Sequence, residues 1–388
     1  MPKASELRFQ LEVATDVDAL GMRWRALEAT GDPSFFLSWH WIGTWLTAIK
    51  GMPLLLSGTA GGRIVLLALL TPLRRHDLGV LPIRAARLHE TGDSATDVIT
   101  IEYNGFLVAR DWHPLASSAA IQFLFKSGFD ELQMRGVPAD YDTVFRREAI
   151  VSVVDRKPSW RVDLDAVRGS GEPYLSHISA NTRQQVRRSM RLYQARGELC
   201  LTRARNVDEA LEHLAGLRCL HQHYWESRGQ PGAFSYPFFE EFHRRLISDG
   251  IRGNFVELIK VACGKDAVGY LYNFLYRGKV LSYQSGFSYE VDSKIKPGLV
   301  SHCLCIDSHI ALGASVYDFM AGESRYKASL GQSGPDMLHI VAQKPAVSIK
   351  LANAGRRLAK AIVRGGVRVA GRAAETCRAV TVLAARRR

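Results

Sequence analysis

The stretch from Asn254 to Lys327 contains the pattern that most limits how this chain can fold. Three segments rich in β-branched and aromatic residues, Phe255 to Cys263, Val268 to Tyr276 and Val280 to Tyr289, are separated by two short turns that contain glycine. Turns of this length join antiparallel neighbours. The stretch therefore predicts an antiparallel meander of three strands.

A helix and a fourth strand are predicted after the meander. Pro297 and Gly298 suit the first turn of a helix, because proline loses no hydrogen bond there and glycine lets a ligand approach the backbone. Apolar residues then recur at helical spacing until Gly313, which is predicted to end the helix. The segment Ser315 to Met320 is typical of a strand, and polar residues gather directly after it, where functional groups are often placed.

The order meander, loop, helix and strand resembles the core of the Gcn5-related N-acetyltransferase (GNAT) superfamily. The chain is also similar to the BioF-like acetyltransferase domain of CelD-type cellulose-biosynthesis proteins, which is related to the Fem aminoacyl transferases. The resemblance covers Tyr174 to Leu330, with a weaker echo in the first 155 residues. It is carried by residues 286–287, 296–300, 317–323 and 326–327, which spell GF, KPGLV, YDFMAGE and YK.

The resemblance implies an α/β (α+β) protein with a GNAT-like fold, in which helices flank a mixed, mostly antiparallel sheet. Because strand-turn-strand and then helix-strand also occur early in the chain, two GNAT-like domains in tandem are expected. The predicted units are a degenerate N-terminal domain (1–155), a polar linker (156–172), a C-terminal acyltransferase domain (173–343) and a basic tail (344–388).

In proteins that this stretch resembles, an acyl thioester lies between two strands that splay apart, and the donor pyrophosphate rests on the helix N-terminus. A helix N-terminus favours an anion because its N–H groups are free and its dipole is positive there. The donor is therefore expected to be acetyl-CoA or another acyl-CoA. The residues expected to hold it are Tyr283, Ser285, Lys294, Lys296, Gly298 and Leu299.

One departure from the superfamily leaves the donor open. The usual Gln/Arg-x-x-Gly-x-Gly/Ala pyrophosphate loop is replaced by Lys294 to Gly298. This segment is either a phosphate-binding loop of different sequence or an ordinary basic loop. An aminoacyl-tRNA donor, as in Fem-like transferases, is the alternative.

Acyl transfer needs a base for the acceptor proton, a stabilised oxyanion and an acid for the leaving thiolate. Glu323 is the predicted base and Tyr326 the predicted acid, while Lys327 is a candidate for contact with a charged substrate. Asp318 is a further catalytic candidate, or else a strand-end carboxylate that holds a loop. Its side chain should face opposite to those of its two strand neighbours.

The acceptor side has four candidates. Arg183 and Arg187 belong to a row of arginines spaced four residues apart on a predicted helix, which is either a solvated face or a face that binds phosphates or carboxylates. Trp225 and Arg228 end a second long helix of the kind that shapes the acceptor pocket in GNAT proteins, although a core position suits the tryptophan equally well. The acceptor itself is expected to be a small molecule or a glycan precursor.

Other classes of chemistry lack their motifs. The six cysteines include no C-x-x-C and no Cys/His metal spacing, so no metal is predicted. No Ser/His/Asp elbow, P-loop or H-E-x-x-H motif occurs either. Acyl transfer is the chemistry that retains residues to support it.

The net charge of +13 is concentrated in the tail. Residues 344–388 hold twelve Lys or Arg and one Glu, which accounts for +11 of it. A basic amphipathic or disordered tail is expected, with an anionic membrane surface as its simplest partner and nucleic acid as the competing one. The N-terminus lacks the apolar core of a signal peptide and no apolar run is long enough to span a membrane, so a cytoplasmic protein is expected, peripheral on the inner membrane face if the tail binds there.

Three functions follow as hypotheses. The first is an N- or O-acyltransferase that uses acyl-CoA, placed in surface polysaccharide (cellulose-type) biosynthesis by the family resemblance alone. The second is a Fem-like transferase that uses aminoacyl-tRNA. The third is a non-catalytic scaffold that attaches a polysaccharide synthase to the membrane through the tail.

Overall fold

The computed structural model describes residues 3–77 and 81–356 of the 388. Two mixed sheets flanked by helices make up this part of the chain, which confirms the predicted fold class. In each sheet the paired strands are antiparallel except at one parallel pair. The same plan therefore occurs in both halves.

The first sheet has the strand order β1-β2-β3-β4-β6-β15-β7, with β5 paired to β3. Its elements from the first half are β1 (Arg8–Val13), α1 (Val17–Thr30), α2 (Trp39–Ala48), β2 (Leu54–Ala60), β3 (Arg63–Asp77), β4 (Leu81–Leu88), β5 (Leu107–Val108), α3 (Leu115–Lys126), β6 (Glu131–Pro138), α4 (Asp140–Phe145) and β7 (Ile150–Lys157).

The second sheet has the order β14-β8-β13-β12-β11-β10-β9. The elements of the second half are β8 (Ser159–Asp163), α5 (Leu164–Ser170), α6 (Ala180–Gln194), β9 (Leu199–Arg203), α7 (Val207–Glu226), α8 (Pro237–Arg252), β10 (Val256–Cys263), β11 (Asp266–Tyr276), β12 (Lys279–Phe287), α9 (Pro297–Ala311), β13 (Val316–Ala321), α10 (Arg325–Leu330), β14 (Gln332–Ser333) and β15 (Met337–Gln343).

The predicted meander is confirmed as β10, β11 and β12. Gly264 and Gly278 both adopt positive φ, at 58° and 76°, in the two turns that connect these strands. Only glycine adopts such angles without cost, so a glycine between two strand-like segments predicts each of these turns. The helix after the meander is α9, and the fourth strand is β13, which pairs in parallel with β12.

The chain crosses between the halves twice, and this corrects the predicted linker. The segment 156–172 contains β8 and α5, and only Pro158 separates β7 in the first sheet from β8 in the second. The Asp163 carboxylate caps α5 by accepting from Ala166 N. Near the end of the predicted C-terminal domain, β15 returns to the first sheet and pairs with β6 and β7.

Aromatic side chains from both halves form one core. Phe35 is fully buried, and its ring stacks on that of Phe274 at a centroid distance of 4.2 Å and an angle of 18°. Trp41 packs edge-on against Phe274 and Phe242, and Trp45 is also buried, so both tryptophans of α2 belong to the core. The halves are therefore joined by apolar packing.

The first residues of the basic tail lie against the first sheet. Residues 347–356 are helical, and Ile349 packs on Ile83 and Ala85. The rest of the predicted tail, 357–388, lies outside the described residues. Among the helices of the described ranges, none combines the length and the apolar character needed to cross a membrane.

Replacing Phe35 by alanine tests the joint between the halves. We expect Phe35→Ala to lower the free energy of unfolding by roughly 3–5 kcal/mol, because a buried ring is removed from a packed aromatic cluster. Urea denaturation followed by tryptophan fluorescence measures the change. Val291→Ala, at a fully exposed apolar side chain, is the control and should change stability by less than about 0.5 kcal/mol. A loss of under about 1 kcal/mol for Phe35→Ala would contradict the core described above.

Candidate active site

The two parallel strands of the second sheet, β12 and β13, are paired over only part of their described length. β12 and β13 pair only at Lys279 with Val316, Val280 with Tyr317 and Leu281 with Asp318. β12 continues to Phe287, whereas β13 continues only in its pairing with β8. An opening therefore separates the two described strands beyond the third pair.

Irregularities in both strands accompany this opening. Tyr283 is an extra residue in β12, because Ser282 pairs with Asn273 and Gln284 pairs with Tyr272 across the β11 ladder. Such a bulge bends a strand and re-aims its side chains. In β13 the register shifts between Asp318 and Met320.

A cavity of about 270 Å³ lies beside this opening and is named here the strand-gap cavity. Three elements surround it: the end of α7, the second half of β12 and the segment after β13. Its lining residues are Leu220, His221, Tyr224, Trp225, Ser282, Tyr283, Gln284, Ser285, Gly286, Phe287, Tyr289, Ser324, Tyr326 and Lys327.

Close contact between α7 and β12 shapes the inner wall of the cavity. A Cβ on Gly286 would lie 2.5 Å from the Leu217 carbonyl oxygen, so only glycine permits this approach of helix to strand. The His221 side chain is buried on the same helix and accepts a hydrogen bond from the Trp225 indole at 3.0 Å. Burial lowers the pKa of His221 to about 4, so this imidazole is neutral at pH 7.

Tyr326 is held by stacking. Its ring lies parallel to that of His302 at a centroid distance of 5.2 Å, and His302 Nδ1 is 3.0 Å from the Tyr317 hydroxyl. His302 is buried, and its Nε2 has no hydrogen-bond partner among the described residues. Burial raises the pKa of Tyr326, which keeps its hydroxyl protonated and available as a proton donor at neutral pH.

Lys327 also faces the strand-gap cavity. Its Nζ donates to the Ala321 carbonyl oxygen at 2.7 Å. Burial lowers the pKa of this ammonium, and the carboxylates of Glu102 and Asp318 oppose that effect.

A segment of the first half, residues 99–103, reaches both strands at the opening. The Tyr283 hydroxyl of β12 donates to the Ile99 carbonyl oxygen. On β13, Ala321 N donates to Glu102 Oε2 at 2.8 Å. Burial raises the pKa of Glu102 to about 7, although the Ala321 N–H and the charge of Lys327 oppose the shift.

The structure brings together five of the residues that were predicted for the site. Tyr283, Ser285, Trp225, Tyr326 and Lys327 all line the strand-gap cavity. They come from α7, β12 and the segment after β13, which are well separated along the chain.

The two predicted carboxylates lie elsewhere. Glu323 is exposed and lies outside the lining of the cavity, although Ser324 next to it is part of that lining. Asp318 is buried and accepts from the Tyr103 hydroxyl at 2.6 Å and from Met320 N at 2.7 Å. Its orientation opposite to Tyr317 and Phe319 is as predicted, and its partners fit the carboxylate that holds a loop.

Asp318 borders a second and larger cavity, of about 690 Å³, which lies between the two halves and is named here the interdomain cavity. Tyr103 and Asn104 from the first half and Lys279 and Leu281 from β12 share its wall. The Tyr103–Asp318 hydrogen bond therefore lies at the boundary of the interdomain cavity and on the strand that borders the opening.

The predicted phosphate site lies next to the strand-gap cavity but not in its lining. Lys296 N donates to Ser189 Oγ of α6 at 2.8 Å, and Lys294 is exposed. Gly298 lies against the ring of Phe287, which does line the cavity, and Leu299 is buried in the core. The Phe287 side chain thus lies between the N-terminal turn of α9 and the strand-gap cavity.

The predicted arginines lie outside the strand-gap cavity. Arg183 and Arg187 border a groove of about 640 Å³ along α6, together with Arg191 of the same row. Arg228 stacks on the Tyr224 ring, with its guanidinium carbon 3.7 Å from the ring centroid. It supports a cavity wall without belonging to it.

A buried cluster of polar side chains lies in the second half, outside the lining of the strand-gap cavity. The atoms of Glu257, Cys305 and His309 that could ligate a metal ion lie within 4.8 Å of one another. Both carboxylate oxygens of Glu257 already have partners, since Oε1 accepts from Arg203 at 2.5 Å and Oε2 lies 2.9 Å from His309 Nε2. We interpret the cluster as a buried carboxylate that is paired with the Arg203 guanidinium and has its hydrogen bonds made, because a buried carboxylate requires such compensation.

Sequence reasoning missed Glu102, His221 and His302 as members or supports of the site. His221 precedes Trp225 by four residues on a helix, so its contact with that tryptophan was available from spacing. His302 lies on the predicted helix after the meander, and its spacing there does not indicate a contact with Tyr326. No local signal points to Glu102, because it reaches the site from the other half of the chain.

Comparison with known proteins identifies the class of fold. Residues 180–328 match a family model described as an acetyltransferase (GNAT) domain. The match runs from α6 into α10 and contains the opening and every residue that lines the strand-gap cavity. Residues 180–328 are therefore similar to a GNAT-type acetyltransferase domain.

The likeness in fold to the solved structure of FemX extends over most of the chain. FemX aligns with a TM-score of 0.51 and 12% identity, covering 86% of this chain and 95% of FemX. L-PGS from Bacillus licheniformis aligns at 0.49 with 10% identity, covering 86% and 96%. A tandem GNAT protein from the clavulanic acid biosynthesis pathway aligns at 0.43 with 12% identity, covering 88% and 99%. At such identity the FemX likeness concerns the fold alone. No curated protein sequence matches this chain.

The stability of the protein should depend on the ionisation of Glu102. Folding raises the pKa of this carboxyl from an ordinary 4.5 to about 7, so the folded state binds the proton more tightly than the unfolded state does. The resulting stabilisation is present below about pH 4.5 and is lost as the pH rises through 7. Relative to Glu102→Gln, the wild type should lose roughly 1–3 kcal/mol between pH 5 and pH 8. Urea denaturation of both proteins at the two pH values measures this difference, and parallel pH dependences would contradict it.

Proposed function

We propose that this protein is an acyltransferase that moves an acyl group from a CoA thioester to an amine or hydroxyl acceptor. The observation that carries the proposal is the parting of β12 and β13 beside a cavity that contains a protonated tyrosine and a lysine. The GNAT-type domain match over residues 180–328 supports it.

The opening suits an extended donor. Beyond Leu281, the edge of β12 that faces β13 has no strand partner among the described residues. The Ser285 N–H donates to Gln284 Oε1 at 3.0 Å, and the other N–H and C=O groups of this edge are our proposed partners for the amides of a pantetheine arm. Backbone recognition of this kind is how extended ligands add to a sheet edge. The N-terminus of α9 and the side chains of Lys294 and Lys296 are our proposed contacts for the donor phosphates.

The reaction requires proton transfers at two places. The acceptor nitrogen or oxygen attacks the thioester carbon, its proton leaves to a base, and the carbon–sulfur bond then breaks. We assign the hydroxyl of Tyr326 to the protonation of the departing thiolate, because it is neutral and lines the cavity. Glu323 remains a candidate for the base only from the outer rim, since its side chain is exposed.

The mouth of the strand-gap cavity is the proposed acceptor side. Trp225 and Tyr289 are 38% and 59% exposed there, and the Tyr289 ring lies 5.1 Å from that of Tyr224. Such rings offer flat apolar faces with polar tips. These faces suit a ring-shaped acceptor, and the glycan precursor implied by the CelD-type resemblance is our candidate.

Replacing the Tyr326 hydroxyl tests the proposal. We expect Tyr326→Phe to lower kcat for acetyl transfer by roughly 100-fold or more and to leave the KM for acetyl-CoA nearly unchanged, since proton donation acts in the transition state. Release of free CoA with a panel of amine and amino-sugar acceptors measures the rate. Tyr270→Phe, whose hydroxyl lies outside the cavity lining, is the matched control and should keep wild-type activity. Full activity in Tyr326→Phe would remove Tyr326 from the mechanism, and no transfer with any acceptor would favour the non-catalytic scaffold.

A Fem-like transferase using aminoacyl-tRNA is the second candidate, because FemX shares the fold over 86% of this chain. The two donors are separated by their effect on thermal stability, since a ligand that binds only the folded state raises the melting temperature. If the first proposal is right, acetyl-CoA at 100 times its Kd stabilises by about 2.7 kcal/mol. Stabilisation by aminoacyl-tRNA alone, in a chain that ends at Arg356 and so lacks most of the tail charge, would favour the second.

A further inference from the structure

Segment 99–103 of the first half bonds to both strands near the point where they separate. Ile99 accepts from Tyr283 on β12, while Glu102 and Tyr103 bond to Ala321 and Asp318 on β13. These contacts lie on both sides of the opening. The first half therefore holds the edges of the gap in the second half.

Backbone strain is concentrated at the same place. Thr100, Tyr103 and Met320 have φ values of 33°, 49° and 62°, and they make up half of the six non-glycine residues with positive φ in the described part of the chain. Side chains disfavour this region, so such residues persist only where surrounding contacts hold them, and they cluster at functional sites.

Glu102 of the first half and Lys327 of the second half both form hydrogen bonds to the backbone of Ala321. Glu102 Oε2 accepts from Ala321 N at 2.8 Å, and Lys327 Nζ donates to Ala321 O at 2.7 Å. Lys327 lines the strand-gap cavity and Glu102 does not. Any effect of Glu102 on the cavity is therefore exerted through Lys327 and the strand it binds.

The charges around this pair are few. Lys327 is influenced by Glu102 and Asp318, both of which favour its protonated form against the effect of burial. Glu102 is influenced by Lys327, Asp318 and Lys157. Asp318 is further affected by Arg161 of β8. Removing the Glu102 charge should thus make the Lys327 ammonium easier to deprotonate.

We propose that Glu102 is a positioning residue of the transfer site, which keeps Lys327 as an ammonium that faces the strand-gap cavity. The inference rests on the acyltransferase function proposed above and extends it to the first half of the chain. The ammonium is placed to stabilise negative charge on the thioester oxygen as the acceptor attacks. No proton leaves either side chain in this role.

Chemical labelling tests the charge coupling without any donor or acceptor. Trace acetic anhydride labels neutral amines, and mass spectrometry of the Lys327 peptide between pH 6 and pH 11 gives its titration in the full-length protein. In Glu102→Gln the midpoint should fall by about one pH unit or more, because a neighbouring opposite charge is lost. Glu102→Asp should restore most of the shift, and Glu172→Gln, at an exposed carboxylate, should show the wild-type midpoint. An unchanged midpoint in Glu102→Gln overturns the inference.

The pH profile of transfer supplies the second readout. The alkaline limb of kcat/KM should move to lower pH in Glu102→Gln by the same amount as the labelling midpoint, with Glu102→Asp close to wild type. An unmoved limb overturns the inference even if transfer itself is confirmed. Conversely, a wild-type protein that labels as expected but transfers no acyl group contradicts the proposed function and leaves the Glu102–Lys327 coupling established.

Discussion

The structure depends on two parallel strands that hold each other at only three residue pairs. β12 and β13 pair as far as Leu281 and Asp318, and a bulge at Tyr283 then turns β12 away while β13 stays paired with β8. A sheet normally buries its N–H and C=O groups in ladders, and groups left without partners are costly unless a ligand or another segment bonds to them. The backbone N–H and C=O groups that face the opening therefore need hydrogen-bond partners from a ligand or from another segment.

The protein meets part of that need from its other half. The chain passes from the first sheet to the second across Pro158 and returns in β15, while Phe35 and Trp41 pack into the core beneath β11. This packing brings segment 99–103 to the opening. The first half thus bonds to the side chains of Tyr283 and Asp318 and to the backbone N–H of Ala321 in the second half.

Much of the second sheet could be predicted because its signals are local. Gly264 and Gly278 mark turns that glycine alone adopts easily, and Pro297 marks a helix start. Tyr326 and Lys327 could be predicted because side chains directly after a strand collect at one edge of a sheet. The sequence could not say that Glu323 in the same segment is exposed, since the direction of each side chain depends on how α10 packs.

The remaining features are not local. β8 is short and polar, and it becomes a strand because β13 offers it an edge on which to pair. β15 belongs to a sheet whose other strands lie far earlier in the chain. Glu102 has no pattern around it that indicates chemistry, and only the packing of the halves places it beside Ala321 and Lys327. Tertiary contacts of this kind leave no periodic trace in a sequence.

The most direct test of the central claim is a crystal structure with an unreactive thioether analogue of acetyl-CoA. We predict that its sulfur lies in the opening between β12 and β13, within hydrogen-bond distance of the Tyr326 hydroxyl, and that its phosphates lie at the N-terminus of α9. An analogue bound in the interdomain cavity, with the opening between the strands left empty, would contradict the account.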